Sequence, residues 1–191
     1  MKTITDAEFS IMFEQYWNTL EECGVSSFFE KEKLYADLRN AAGGLNEDTG
    51  VAYPGGLLHY MNLCVAVGKR VYNIVNKYCP LDILSMTKVL SLMHLSKIVL
   101  FVQNPDTWQI EKLGKNYIFN PSLTESLKFG ERSVLMVMNL GIKLTGEEFE
   151  AFRCIDKKGE LVRDGSQYNS MLTIIVKAAN EITTKLETIK R

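Results

Sequence analysis

Tyr53-Pro54-Gly55-Gly56-Leu57-Leu58-His59-Tyr60 opens, and Leu92-Met93-His94-Leu95-Ser96-Lys97-Ile98 closes, the stretch that decides the fold. From Leu57 to Tyr78 the chain is apolar almost all round, with Leu58, Met61, Leu63, Val65, Val67, Val71, Ile74 and Val75 leaving no broad polar face. A helix of that kind is buried rather than laid on a surface. Cys79-Pro80 ends it. From Leu81 or Asp82 a second apolar helix is expected to run to Val102 through Ile83, Leu84, Met86, Val89, Leu90, Leu92, Met93, Ile98, Val99 and Phe101. Asn104-Pro105 stops it, because the residue before a proline is pushed out of the helical region. Two such helices packed together predict an all-α core.

The flanks extend that reading. Thr5-x-x-Glu8 is a capping box, in which the Thr hydroxyl and the Glu carboxylate each take up a backbone N–H left over at a helix start. Phe9, Met12, Phe13, Tyr16, Trp17 and Leu20 follow at helical spacing up to Gly24, so an amphipathic first helix is expected. Ser27-x-x-Glu30 repeats the signature ahead of Leu34 and Leu38, with Gly43-Gly44 beyond the helix end. The Gly-, Asn- and Asp-rich stretch 43–56 predicts a surface loop at the mouth of any site. Beyond Pro105 the period changes. Thr107-Trp108-Gln109-Ile110-Glu111 and Asn116-Tyr117-Ile118-Phe119 flank Leu113-Gly114-Lys115, which predicts a small β-hairpin insert over about 106–120. Ser122-x-x-Glu125 precedes a short helical piece, 130–140 is helical, and Thr145-x-x-Glu148 caps a helix to Ile155. A polar loop over 156–166 leads to a last helix whose Tyr168, Met171, Leu172, Ile175, Ala178, Ala179, Ile182, Leu186 and Ile189 are expected to face the core. No repeat, linker or low-complexity tract interrupts the chain. One domain over 1–191 is expected, with N-terminal helices in 1–42 and the core in 53–189.

Composition narrows the function classes. At 191 residues the chain is long enough for one core that removes roughly 70% of the unfolded surface from water. Lys and Arg number 22 against 23 Asp and Glu, so no global field draws in nucleic acid or anionic lipid. Neither partner is expected. Cys23, Cys64, Cys79 and Cys154 lie far apart without a Cys-x-x-Cys pair, the pattern of reduced core thiols rather than zinc ligands or disulfides. Met1 to Asp6 lacks the features of a signal peptide, and no apolar run of about 18 residues is expected to span a bilayer. A cytoplasmic location is expected, or a virion if the chain is phage-encoded.

Taken in order, these segments resemble the HD-domain family of metal-dependent phosphohydrolases over roughly Phe28 to Leu186. Gly55-Gly56-Leu57 is similar to the family's Gly-Gly-Leu-x-x-His opening, and Leu92-Met93-His94-Leu95-Ser96-Lys97 to its Leu-Leu-His-Asp-x-x-Lys signature. Phe129-Gly130-Glu131-Arg132-Ser133-Val134 resembles His-Gly-Glu-Lys-Ser-Val. Leu144-Thr145-Gly146-Glu147-Glu148 through Arg153 resembles Leu-Thr-x-Glu-Glu-x-x-Ala-x-Arg-Trp-His, and Lys177-Ala178-Ala179-Asn180 falls where the family has His-x-Ala-Asp. The resemblance implies an HD-like helical bundle. It also implies a site that has lost its ligands, because imidazole and carboxylate groups must hold the cation that activates water. Tyr60, Leu95, Phe129, Ile155, Lys177 and Asn180 stand at ligand positions, and His94 alone keeps its identity. His59 is one place early, and adjacent helix positions point about 100° apart.

From this we expect no catalytic residue, no metal and no cofactor. The expected role is a non-catalytic HD-fold subunit, structural or regulatory, that meets a protein partner or further copies of itself in a larger assembly such as a phage particle. Two alternatives stand beside it. One is a metal-dependent phosphohydrolase of nucleotides or phosphodiesters built on His59, His94 and Asp82. The other is a metal-free sensor in which Lys97, Lys128, Arg132 and Lys177 hold a nucleotide or phosphate. On the first reading Tyr60, His94, Leu95, Phe129, Ile155, Lys177 and Asn180 gather around a closed volume, with Lys177 reaching water or pairing with Glu131 or Glu181.

Overall fold

The computed structural model describes residues 4–78, 80–153, 155 and 170–189. The chain starts with α1 (Asp6–Glu22), capped as expected by Thr5 and Glu8. Its apolar stripe enters the core through Phe9, Phe13, Tyr16 and Leu20, and the edges of Phe9 and Phe13 meet the Tyr35 ring. The second helix, α2 (Lys31–Asn40), begins later than the Ser27 signature implies. Ser26–Phe28 forms a separate 3-10 turn, and Glu30 stands at the N-cap without a side-chain bond. The capping pattern failed there because Ser27 was drawn into the tighter turn.

The central pair forms, but each member is shorter than its apolar run. α3 (Gly56–Val75) buries most of its side chains between Gly56 and Gly68, though Ala66 is exposed there, and then emerges, leaving Ile74 69% exposed. α4 (Ile83–Leu92) begins at Asp82, whose carboxylate accepts from the Leu84 N–H. It stops ten residues before Val102. At Met93–Ser96 the backbone switches to i→i+3 bonds, seen in Leu95 N–H on Leu92 O and Lys97 N–H on His94 O. After this turn come α5 (Lys97–Leu100) and the strand β1 (Phe101–Gln103). The window Ile83–Leu100 does have the length and mean hydropathy, 1.4, of a membrane span, contrary to expectation. In the fold it is broken by the turn and 56% buried against the rest of the chain, as a core segment is.

The expected hairpin is displaced. Its first half is the helix α6 (Thr107–Leu113), capped by the Asp106 carboxylate on the Gln109 N–H and closed by Gly114 in the left-handed region. The strand that pairs with β2 (Tyr117–Phe119) is β1, antiparallel, with Phe101 opposite Phe119 and Gln103 opposite Tyr117. An Asp N-cap directly after a proline outweighed five residues of apparent alternation.

α7 (Phe129–Asn139) and α8 (Gly146–Arg153) follow. The stretch between Ser122 and Lys128 is irregular rather than helical. α8 starts from the Thr145–Glu148 box, with the Thr145 N–H on Glu148 Oε2 at 2.8 Å and the Glu148 N–H on Thr145 Oγ1 at 3.2 Å. The polar loop over 156–166, Tyr168, Cys79 and Cys154 lie outside the described residues; Cys23 and Cys64 are free thiols. The last helix, α9 (Met171–Ile189), packs on α3, α8 and α4. Its buried face runs through Leu172, Ile175, Val176, Ala179, Thr183 and Glu187, while Ile182 and Leu186 are 43% and 40% exposed. The stripe is therefore rotated from the expected one, toward two polar residues that find partners inside. The described chain is mostly helical with one small antiparallel sheet. A main apolar cluster draws on α1, α2, α3, α4, α7, α8 and α9, and a smaller one of Ala42, Ala52, Phe101 and Tyr117 lies under the sheet.

Candidate functional site

The Gly55-Gly56 pair sets the entrance of α3. Gly55 takes φ 80°, the left-handed region that an L side chain rarely adopts, and Gly56 has the Val51 carbonyl where a Cβ would lie. The pair is thereby accounted for by chain geometry. It brings the 41–56 loop flat against the helix start, where the Gly56 N–H bonds Tyr53 O and the Leu57 N–H bonds Ala41 O.

One turn into α3, Tyr60 meets His94 and Asn180. Asn180 Oδ1 lies 2.8 Å from His94 Nε2 and accepts the Tyr60 hydroxyl at 3.0 Å. Tyr60 Oη is 2.7 Å from Thr184 Oγ1, and the edges of the Tyr60 and His94 rings meet at 5.0 Å between centroids. Since the carboxamide oxygen can only accept, the His94 proton sits on Nε2. Nδ1 keeps a bare lone pair, buried and without a hydrogen-bond partner. Burial, and then the nearby Lys97 ammonium, hold the imidazole well below its ordinary range against the opposing bond to Asn180. Burial also pushes the Tyr60 phenol up and the Cys64 thiol up to about 12. These three groups are all neutral at physiological pH.

Lys97 is the charge in this neighbourhood. The residue is half-buried and its ammonium is enclosed, donating to Gly43 O at 2.7 Å and lying 5.1 Å from the Tyr60 ring centre and 5.8 Å from that of Phe101. Burial lowers it to about 8. A carbonyl and two π faces are partial compensation for a desolvated cation.

Among the described residues, the side chains of the other ligand positions make no hydrogen bond to this cluster. Leu95 is fully buried in the main apolar cluster. Phe129 packs its ring on Phe101 and Phe119, at 6.0 and 6.1 Å between centroids, and its carbonyl accepts from Ser96 Oγ at 3.4 Å. Ile155 is half-buried against the main core. Lys177 is exposed on α9 and reaches water directly, whereas Glu131 lies 3.7 Å from Arg153. Of the seven expected residues, Tyr60, His94 and Asn180 are joined by hydrogen bonds, which Thr184 extends, and Leu95 shares the apolar cluster of Tyr60.

The four basic residues have separate environments. Lys97 is spent on Gly43 O, Arg132 on the Glu125 carboxylate and carbonyl at 3.3 and 2.7 Å, and Lys128 and Lys177 are exposed. The set His59, His94 and Asp82 is dispersed as well. His59 Nε2 is 3.3 Å from the buried Glu187 carboxylate, and Asp82 is an exposed cap at the far end of α4 from His94, a helix about 15 Å long. Among the described residues, no group of three or more His, Cys, Asp or Glu side chains is gathered as a metal ion would require.

Sequence reasoning missed Thr184, Cys64 and the Gly43 carbonyl. Two of them carried a signal, since Cys64 and Thr184 stand four residues after Tyr60 and Asn180 and so share their helix faces. No protein-family model, curated protein or solved structure matches the chain.

Proposed function

We propose that this chain is a non-catalytic protein of HD-like fold that works through protein contacts, as a structural or regulatory subunit of a larger assembly in the cytoplasm or in a virion. The observation that supports the reading is the Asn180 carboxamide oxygen, which faces both His94 Nε2 and the Tyr60 hydroxyl. Three of the positions where the resemblance puts metal ligands are thus hydrogen-bonded to one another through that oxygen. Size-exclusion chromatography with light scattering tests the reading. Self-assembly or a stoichiometric complex is expected, and a strict monomer that captures no partner counts against it. Metal analysis bears on the phosphohydrolase alternative: stoichiometric Mn, Fe, Ni or Zn that disappears in His94→Ala restores the enzyme.

A second reading, a metal-free sensor of nucleotides or phosphate, is favoured by one observation. The enclosed Lys97 ammonium is held by a carbonyl and two rings rather than by a carboxylate. A thermal-shift screen separates it from the scaffold, because a nucleotide at 100 times its Kd stabilises the native state by about 2.7 kcal/mol.

A further inference from the structure

We propose that the groove between α5 and α7 binds a small apolar chain ending in a carboxylate. The groove has a volume of about 300 Å³ and is walled by Val99, Leu135, Met136 and Leu140, with Arg132 and Asn139 as its polar members. Taking about 30 Å³ for each heavy atom, the share of liquid volume that one water occupies, it holds about ten heavy atoms. Val99 and Leu135 are 40% and 47% exposed at its rim, apolar surface that an alkyl chain would take from water.

Arg132 sets the head group. The residue is only 8% exposed, and its Nε–H is shielded from water with no acceptor, although both Nη groups reach Glu125. A buried donor without a partner is rare in a native protein, and a carboxylate is the strongest acceptor for a guanidinium. The Glu125 side chain that holds Arg132 at 3.3 Å is itself 59% exposed. It can swing into water and leave the guanidinium to an incoming carboxylate. The groove shares no residue with the Tyr60, His94 and Asn180 cluster, and the proposal is independent of the assembly reading.

Octanoate, with about ten heavy atoms, is the probe, titrated into the full chain with the methyl NMR signals of Val99, Leu135 and Met136 as the readout. Saturable shifts at those methyls are expected. 1-Octanol should bind roughly tenfold more weakly, the worth of a charge-assisted hydrogen bond. Glu125→Gln removes the competing carboxylate and should tighten octanoate binding several-fold, while Leu135→Asp, at an exposed rim position, should abolish it in a folded protein. Arg132→Gln should erase the preference for octanoate over octanol. Equal affinity for the two probes, an octanoate affinity unmoved by Glu125→Gln, or no saturable shift at millimolar octanoate overturns the proposal.

Discussion

Two polar clusters, one buried and one half-buried, are built on α4 and the turn that follows it, and they handle charge in different ways. In the first, the Glu148 carboxylate is 0% exposed and fully engaged. Lys88 Nζ is 2.6 Å from Oε1, Ser85 Oγ donates to the same oxygen at 2.8 Å, and the Thr145 N–H donates to Oε2 at 2.8 Å. In the second, Tyr60, His94, Asn180 and Thr184 meet as neutral groups, and His94 Nδ1 is left without a partner. The difference teaches where this fold tolerates a buried ion. At Glu148 a helix start supplies a backbone donor and a neighbouring helix a cation, whereas around His94 burial keeps the imidazole, phenol and thiol neutral and leaves Lys97 as the one ammonium, held by a carbonyl and two rings.

The largest effect tests the charged cluster. Glu148→Ala leaves the Lys88 ammonium, whose side chain is only 17% exposed, with the Lys143 carbonyl at 3.5 Å, and strips Ser85 and the Thr145 N–H of their acceptor. A loss of about 3 kcal/mol is expected in urea unfolding, the low end for a broken buried pair because Lys88 retains some water. A loss under about 1 kcal/mol, the level of a surface pair, would erase the contrast between the two clusters.

Asn180→Leu probes the neutral cluster in the same assay. It removes the acceptor shared by His94 Nε2 and Tyr60, at a cost of about 2 kcal/mol, since each buried donor left unmatched costs about 1 to 3 kcal/mol and Tyr60 keeps Thr184. A neutral or stabilising result would mean that the network specifies geometry without adding stability.

The neutral cluster should also declare itself through pH. The folded protein resists protonating His94, whereas the unfolded chain takes up that proton below its ordinary value of 6.5. The unfolded state then binds more protons, so stability falls as pH drops below about 6.5, by at most about 1.4 kcal/mol per pH unit. Lys97 adds an alkaline limb of the same sign: its folded value is about 8 and its ordinary value 10.5, so stability rises with pH between them. Denaturation curves at a series of pH values should lose the acid limb in His94→Gln and the alkaline limb in Lys97→Met. Slopes that survive these substitutions would assign the pH dependence to other groups.

The smallest effect is that of Tyr60→Phe, about 1 kcal/mol, because Thr184 Oγ1 can still donate to the Asn180 carbonyl at 2.9 Å after the phenol is gone. A cost equal to that of Asn180→Leu would make the Tyr60 hydroxyl, rather than His94, the group the carboxamide serves.

The sequence by itself determined the helices whose ends are written locally. Thr5 with Glu8 and Thr145 with Glu148 cap helices as their spacing implies, and α4 starts at Asp82, because a capping side chain reaches backbone only two or three residues away and needs no help from the rest of the chain; the Asp106 cap is equally local, yet 106–120 reads as a hairpin. It also determined that α3 and α4 supply much of the core, through the density of apolar side chains along both. Of the candidate site, Tyr60, His94 and Asn180 were legible only as three of seven positions named through the resemblance, and their mutual hydrogen bonds were not legible at all.

Tertiary structure alone decided the rest. The turn at Met93–Ser96 interrupts an apolar run that contains no glycine or proline, and Ser96 is held there by Ser133 Oγ, 2.8 Å away and 37 residues on. β2 pairs with β1 rather than with the segment just before it, since strand partners are chosen by packing as much as by proximity in sequence. The Glu187 carboxylate, which a helical wheel would send to water, is buried beside His59. Lys177 and Asn180, three residues apart on one helix, end in water and, half-buried, against His94 respectively. Each of these outcomes rests on a partner distant in sequence, and only folding brings those partners within hydrogen-bonding or packing distance.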